Sequence, residues 1–190
     1  MSVAAFLVSG CGSSSLPTGP LGPAGNPSEQ CTPGSLAHAS TVGLINATNN
    51  SGGTLIVDAI DLAQQQGIKL VGAYLTPGAG EAGTWATFPP PAAQVFAYLD
   101  WSKRIPAVGA HVPPGETISI TLGIEPTTTT GSSTCDVEVL YHDGGSRFEL
   151  RTNLALKIEV LPARCFSRTV PRHETGSSHP PRAQRRACDA

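Results

Sequence analysis

The sequence predicts an all-β domain, and three observations carry that expectation. Gly (21) and Pro (17) make up a fifth of the 190 residues, and both weaken helix interiors. Short apolar runs recur about every dozen residues, separated by turn-forming clusters. Among them, residues 117–124 (TISITLGI) alternate strictly, with Ile118, Ile120, Leu122 and Ile124 on one face. That is the pattern of a half-buried strand.

The remaining elements follow in chain order. Residues 41–48 (TVGLINAT) form the first strand, closed by Asn49-Asn50-Ser51-Gly52-Gly53, a strong turn cluster. Residues 54–62 (TLIVDAIDL) are β-branched early, Gln64-Gln65-Gln66-Gly67 turns the chain, and residues 68–75 (IKLVGAYL) resume as a strand. Pro113-Pro114-Gly115 leads into 117–124, and 127–133 is a polar loop. Residues 135–141 set Val137 and Val139 against Asp136 and Glu138. Asp143-Gly144-Gly145 is a tight hairpin, because Gly takes positive φ without strain. Residues 147–160 are its return arm, with Leu154, Leu156, Ile158 and Val160 on one face. A helical turn is expected at 91–98 and no longer helical period competes. About seven strands within residues 31–162 predict an Ig-like antiparallel β-sandwich with one long Pro- and aromatic-rich loop.

Charge excludes one class of partner. Only 14% of residues are charged and the net charge is −2. Residues 31–162 hold 6 Lys/Arg against 11 Asp/Glu, whereas 163–190 hold 6 Arg against 2 acids. The domain therefore has no basic nucleic-acid footprint. No apolar run reaches the roughly 18 residues of a spanning helix. The basic segment 163–190 has few apolar residues and is expected to be a disordered tail, with a composition resembling out-of-frame translation of GC-rich DNA.

The long loop is the candidate binding region. Residues 76–110 contain Pro77, Pro89, Pro90, Pro91 and Pro106, and five of the ten aromatics of the chain. A compact domain rarely keeps such a loop without a use for it. Candidate binding residues are Trp85, Phe88, Phe96, Tyr98, Asp100, Trp101, Lys103 and Arg104. The run Asp100-Trp101-Ser102-Lys103-Arg104 is the densest polar–aromatic cluster, suited to cation–π or carboxylate contacts; its plainer role is a surface turn anchored by Trp101. Gly78-Ala79-Gly80-Glu81-Ala82-Gly83 matches G-x-G-x-x-G, but a phosphate cradle needs a helix next, and Pro89 and Pro90 follow instead. His38, His111 and His142 could gather with Asp58, Asp61 or Asp100. No G-x-S-x-G or H-E-x-x-H is present, so no catalytic residue, metal ligand or cofactor is assigned. Asn46-Ala47-Thr48 and Asn49-Asn50-Ser51 match the short glycosylation pattern.

The N-terminus supplies an address. Residues 3–10 (VAAFLVSG) are apolar and end in small residues before Cys11. The string Val8-Ser9-Gly10-Cys11 resembles the lipobox of bacterial lipoproteins, a resemblance confined to the first 11 residues. It implies a signal peptide at 1–10, a lipid on Cys11, attachment to the membrane through that lipid, and a place on the extracellular face. Met1-Ser2 lacks the basic start of such signals, which points to a start codon upstream. Residues 11–30 are expected to be a Gly/Ser/Pro tether, including a short collagen-like period from Gly19 to Gly25.

Five cysteines suit an exported chain. A Cys31–Cys135 disulfide would pin the start of the domain to the sheet; closing about 100 residues, it contributes roughly 4–5 kcal/mol on the chain-entropy account. Cys165 and Cys188 leave other pairings open. No Cys/His set has zinc spacing. These features together predict a lipid-anchored, exported envelope module, a non-enzymatic binding or structural protein taking an envelope protein or small ligand. The alternative is an envelope hydrolase or metal-handling protein whose site gathers dispersed His and Asp residues.

Overall fold

The computed structural model describes residues 16–22, 28–91 and 99–160. Its strands are β1 (Leu21–Gly22), β2 (Ser28–Gly34), β3 (Ser40–Asn49), β4 (Leu55–Ala63), β5 (Ile68–Pro77), β6 (Gly83–Trp85), β7 (Ile105–Pro106), β8 (His111–Val112), β9 (Thr117–Pro126), β10 (Ser132–Thr134), β11 (Asp136–Asp143), β12 (Ser146–Arg151) and β13 (Leu154–Val160). A single 3-10 turn, Trp101–Lys103, is the sole helical element among the described residues. The molecule is all-β and sandwich-like, as the sequence predicts.

Three sheets build it. One runs β1-β3-β9-β5-β7, with β6 on β3; a second runs β12-β11-β4-β8; a third runs β10-β13-β2. Pairing is antiparallel except for β13 with β2, which is parallel. One contiguous core draws Val42, Ile120, Leu122 and Ile124 from the first sheet, Val57, Val137, Val139 and Tyr141 from the second, and Leu154, Leu156 and Ile158 from the third. Each strand presents alternate residues to that core, so the period-2 pattern of the sequence becomes the inner face.

Details differ from expectation, each for a local reason. The arm at 147–160 is two strands, divided at Thr152 and Asn153. Asn153 takes φ 56°, a left-handed conformation Asn tolerates better than most residues. Residues 11–30 are not wholly a tether. Leu21 is 1% exposed and its N–H donates to the Tyr141 hydroxyl at 3.0 Å. Glu149 N–H donates to the Pro17 carbonyl at 3.1 Å, and β2 begins at Ser28. The segment 16–22 is therefore a strap that crosses from β12 to β3 and seals one side of the sandwich. β2 itself (SEQCTPG) carries no apolar alternation; it lies at a sheet edge, where a proline such as Pro33 is tolerated. Cys11, the tail 163–190, Phe96, Tyr98 and nearly all of the expected turn at 91–98 lie outside the described residues.

The turn at 49–53 is built around one buried side chain. Asn49 Nδ2 donates to the carbonyls of Gly53 and Val112, each at 2.8 Å, while its Oδ1 accepts from the Ser51 N–H and hydroxyl. The amide thus closes the β3–β4 turn and ties it to β8.

Candidate functional site

The largest departure from a simple sandwich lies on the outer face of the six-stranded sheet. Residues on that face are small or polar: Asn46 on β3, Ser119, Thr121 and Gly123 on β9, Gly72, Tyr74 and Thr76 on β5. Strict alternation in β9 predicts that this face is wet. Instead Ser119 and Thr121 are 0% exposed, because the long loop folds back across it.

Glycines make that approach feasible. A Cβ on Gly123 would overlap the Phe88 ring, one on Gly72 would press it at 3.2 Å, and one on Gly43 would overlap Ala82. Their absence lets the loop lie flat. Polar contacts fix it: Gly80 N–H donates to Asn46 Oδ1 at 3.1 Å and the Thr41 hydroxyl to the Thr87 carbonyl at 2.5 Å. Gly83 opens β6, which pairs with β3. The G-x-G-x-x-G string thus runs into a strand.

Above this floor stands an aromatic ledge. Ala82, Leu99 and Trp101 form a second apolar cluster, with Tyr74 and Trp85 packed against it. Tyr74 lies 5.7 Å from Phe88 and meets Trp101 edge-on at 5.7 Å and 80°. The Arg104 guanidinium stacks 4.9 Å from the Trp101 ring and 5.6 Å from the Tyr74 ring, and its Nη1 donates to the Trp101 carbonyl at 3.0 Å. Lys103 is engaged differently, in a 3.0 Å ion pair with Asp100. Asp100 also accepts the Ser102 hydroxyl at 2.5 Å; that bond, then Lys103, holds its carboxyl below the ordinary range.

The structure thus brings together Trp85, Phe88, Trp101 and Arg104 from the sequence-based set and places Asp100 and Lys103 beside them on the solvent side. Tyr74, which sequence reasoning left in its strand, is the residue that joins them. Its signal was slight: it is the one aromatic in β5, set on the same face as Gly72 and Thr76.

Beneath the ledge lies an energetic anomaly. Thr76 Oγ1, Ser119 Oγ and Thr121 Oγ1 are buried without a hydrogen-bond partner. Ser119 faces Thr76 across the β5–β9 ladder, and Thr121 faces Tyr74. An unpaired buried hydroxyl costs about 1–3 kcal/mol. Thr121→Val, which keeps the shape and removes the hydroxyl, is accordingly expected to raise stability by about 1 kcal/mol. The Thr134 hydroxyl, which reaches the Ala63 and Asp136 carbonyls at 2.5 and 2.9 Å, is the control: Thr134→Val is expected to lose about 1–2 kcal/mol. Urea denaturation of the pair reads the sign directly, and an equal loss in both would refute the assignment.

Dispersed polar residues gather less. His142 Nδ1 meets Asp58 Oδ1 at 2.8 Å, and His111 and His142 flank Ile56 on opposite sides. His38 sits apart, in an isolated bridge with Ser35. No cluster of three or more His, Cys, Asp or Glu suited to a metal ion occurs among the described residues. Arg151 is held between Glu149 at 2.5 Å and Glu138 at 3.2 Å. Burial pushes the Glu138 carboxyl up, with Arg151 pulling the other way. A groove of about 960 Å³ between the strap and β12 is lined by Leu16, Thr18, Pro20, Asn50, Glu149 and Arg151; its two charged groups already satisfy each other. Cys31 in β2 and Cys135, between β10 and β11, are both disulfide-bonded.

No family model and no curated protein matches the chain. A solved structure of the Vibrio cholerae VesB protease superposes with a TM-score of 0.32 at 11% identity, over 68% of this chain and 30% of that one. The chain thus spans under a third of that protein, and so slight a likeness bears on neither fold nor function.

Proposed function

We propose that this chain is a lipid-anchored, exported envelope module that recognises a protein or small ligand through the Tyr74–Trp101–Arg104 ledge, without catalysis of its own. The ledge carries this reading. It unites residues from β5, the loop and the 3-10 turn into a pre-shaped site, in which the buried Trp101 ring backs the half-buried Tyr74 ring and the exposed, stacked Arg104 cation, and polar handles beside aromatic area are what recognition surfaces use. The lipobox-like string ending at Cys11 supports the anchor. The bonded state of Cys31 and Cys135 supports an oxidising compartment.

The Cys31–Cys135 pairing belongs to the same reading. Cys31 lies opposite Lys157, which lies opposite Ser133 on the other side of β13. Strands two apart stand about 9–10 Å from one another, and disulfide Cα atoms no more than about 7 Å. Cys135 itself donates its N–H to the Ala63 carbonyl at 3.1 Å, and peptide mapping without reductant identifies the partners.

The anchor is tested by fractionation. Cys11→Ser in the full gene, with its upstream region, is expected to move the protein from the membrane to the soluble fraction and to abolish incorporation of labelled fatty acid. Retention of Cys11→Ser in the membrane fraction would refute the lipid anchor.

A further inference from the structure

We propose that Arg104 is an oxyanion receptor, so that the ledge takes a ligand bearing a carboxylate or phosphate attached to an apolar body. The inference rests on the ledge being the recognition surface and names the chemistry it would recognise.

Three observations carry it. The first is an uncommitted charge. Every ion pair among the described residues leaves Arg104 out, although Lys69, Lys103, His142, Arg151 and Lys157 each have an acid. The neighbouring carboxylate, Asp100, is already engaged by Ser102 and Lys103. The second is orientation. Arg104 rests on the Trp101 and Tyr74 rings and is pinned by Nη1 to the Trp101 carbonyl. A guanidinium has five N–H donors in a planar fork, so donors remain for a guest. Stacking holds that fork in place before any guest arrives, which reduces the ordering cost of binding. The third is the setting. Pro106 lies opposite Tyr74 and shares its face with Arg104 by strand alternation. Phe88 lies 5.7 Å from the Tyr74 ring. The fork is thus bordered by rings and a proline that suit the apolar body of the guest.

Carboxylate and phosphate both fit a planar fork through paired N–H···O bonds, and titration separates them. Both tryptophans of the chain, Trp85 and Trp101, lie in the ledge, so intrinsic emission reports this site. Sodium acetate, inorganic phosphate and neutral N-acetylglucosamine are titrated into the full chain at constant ionic strength, with chloride as the filler. The expected result is a saturable emission change with acetate or phosphate that is about tenfold or more weaker in Arg104→Gln, which keeps a planar end without charge, and intermediate in Arg104→Lys. Whichever anion binds more tightly identifies the guest group. An unchanged anion response in Arg104→Gln overturns the proposal, as does saturation by N-acetylglucosamine alone, which would leave the ledge a recognition surface of another chemistry. Silence toward all three probes overturns the proposal and counts against the ledge as well. Circular dichroism of each variant confirms the fold.

Discussion

Tyr141→Ala is expected to lower the unfolding free energy by about 3–5 kcal/mol, a large share of what a domain of this size commonly has. Tyr141 is wholly buried and is the largest side chain in the core with no exposure. Its ring meets Phe148 at 5.5 Å, so truncation removes both transfer free energy and packing. Its hydroxyl does a second task, accepting the Leu21 N–H. Burial pushes that hydroxyl's pKa up, so it stays protonated through the neutral range. Tyr141→Phe separates the two roles. It keeps the ring and strands the buried Leu21 amide, for an expected loss of about 1–3 kcal/mol. The strap should also loosen, and limited proteolysis should then cut within residues 16–22 before any global unfolding. Urea curves with unchanged slope would report stability alone. A Tyr141→Phe loss as large as that of Tyr141→Ala would show that the ring contributes little, and strap protection equal to wild type would show that the hydroxyl contact is dispensable.

That strap marks the boundary of what the sequence makes legible. The fold class follows from alternation at 117–124 and 135–141 and from the apolar run 68–75 between turn clusters, and they become β9, β11 and β5. Leu21 stands alone among Gly, Pro and Ala, so no periodicity announces that it enters the core. β2 is polar because it takes its order from the β13 backbone rather than from an apolar face of its own. The same logic hides the floor of the site. Ser119, Thr121 and Gly123 read as solvent-facing, since a period of two distinguishes two faces without saying whether another layer covers the polar one. The absence of side chains at Gly43, Gly72 and Gly123 is the relevant cue, and it acquires meaning only when register puts them under Phe88 and Ala82. Trp101 and Arg104 are readable as a pair because they are three residues apart. Tyr74, far away in the chain, joins them only through the β5–β7 pairing.

Trp101→Ala is the complementary test, and two opposing magnitudes set its size. Trp101 is 2% exposed, and a buried indole removes about 150–250 Å² from water, which at about 25 cal/mol per Å² corresponds to roughly 4–6 kcal/mol. Opening the cover should, however, admit water to the floor where Thr76, Ser119 and Thr121 are unpaired, and hydrating one such hydroxyl recovers about 1–3 kcal/mol. The net loss is therefore expected to be about 2–3 kcal/mol, smaller than for other buried aromatics. It should also be local. The Trp101 cluster is distinct from the main core, so amide exchange should accelerate in residues 80–88 and 99–104 while β9 and β11 keep their protection. Combining Trp101→Ala with Thr121→Val distinguishes relief by hydration from simple loss of packing. If water offsets part of the damage, the double variant should be less stable than the two single effects summed, because a valine side chain in place of Thr121 cannot accept the hydration that the hydroxyl would. Strict additivity would mean loss of packing without relief by water, whereas exchange that quickens equally across β9 and β11 would mean that the ledge is part of one cooperative core, and Arg104 would then rest on a platform as rigid as the sandwich itself.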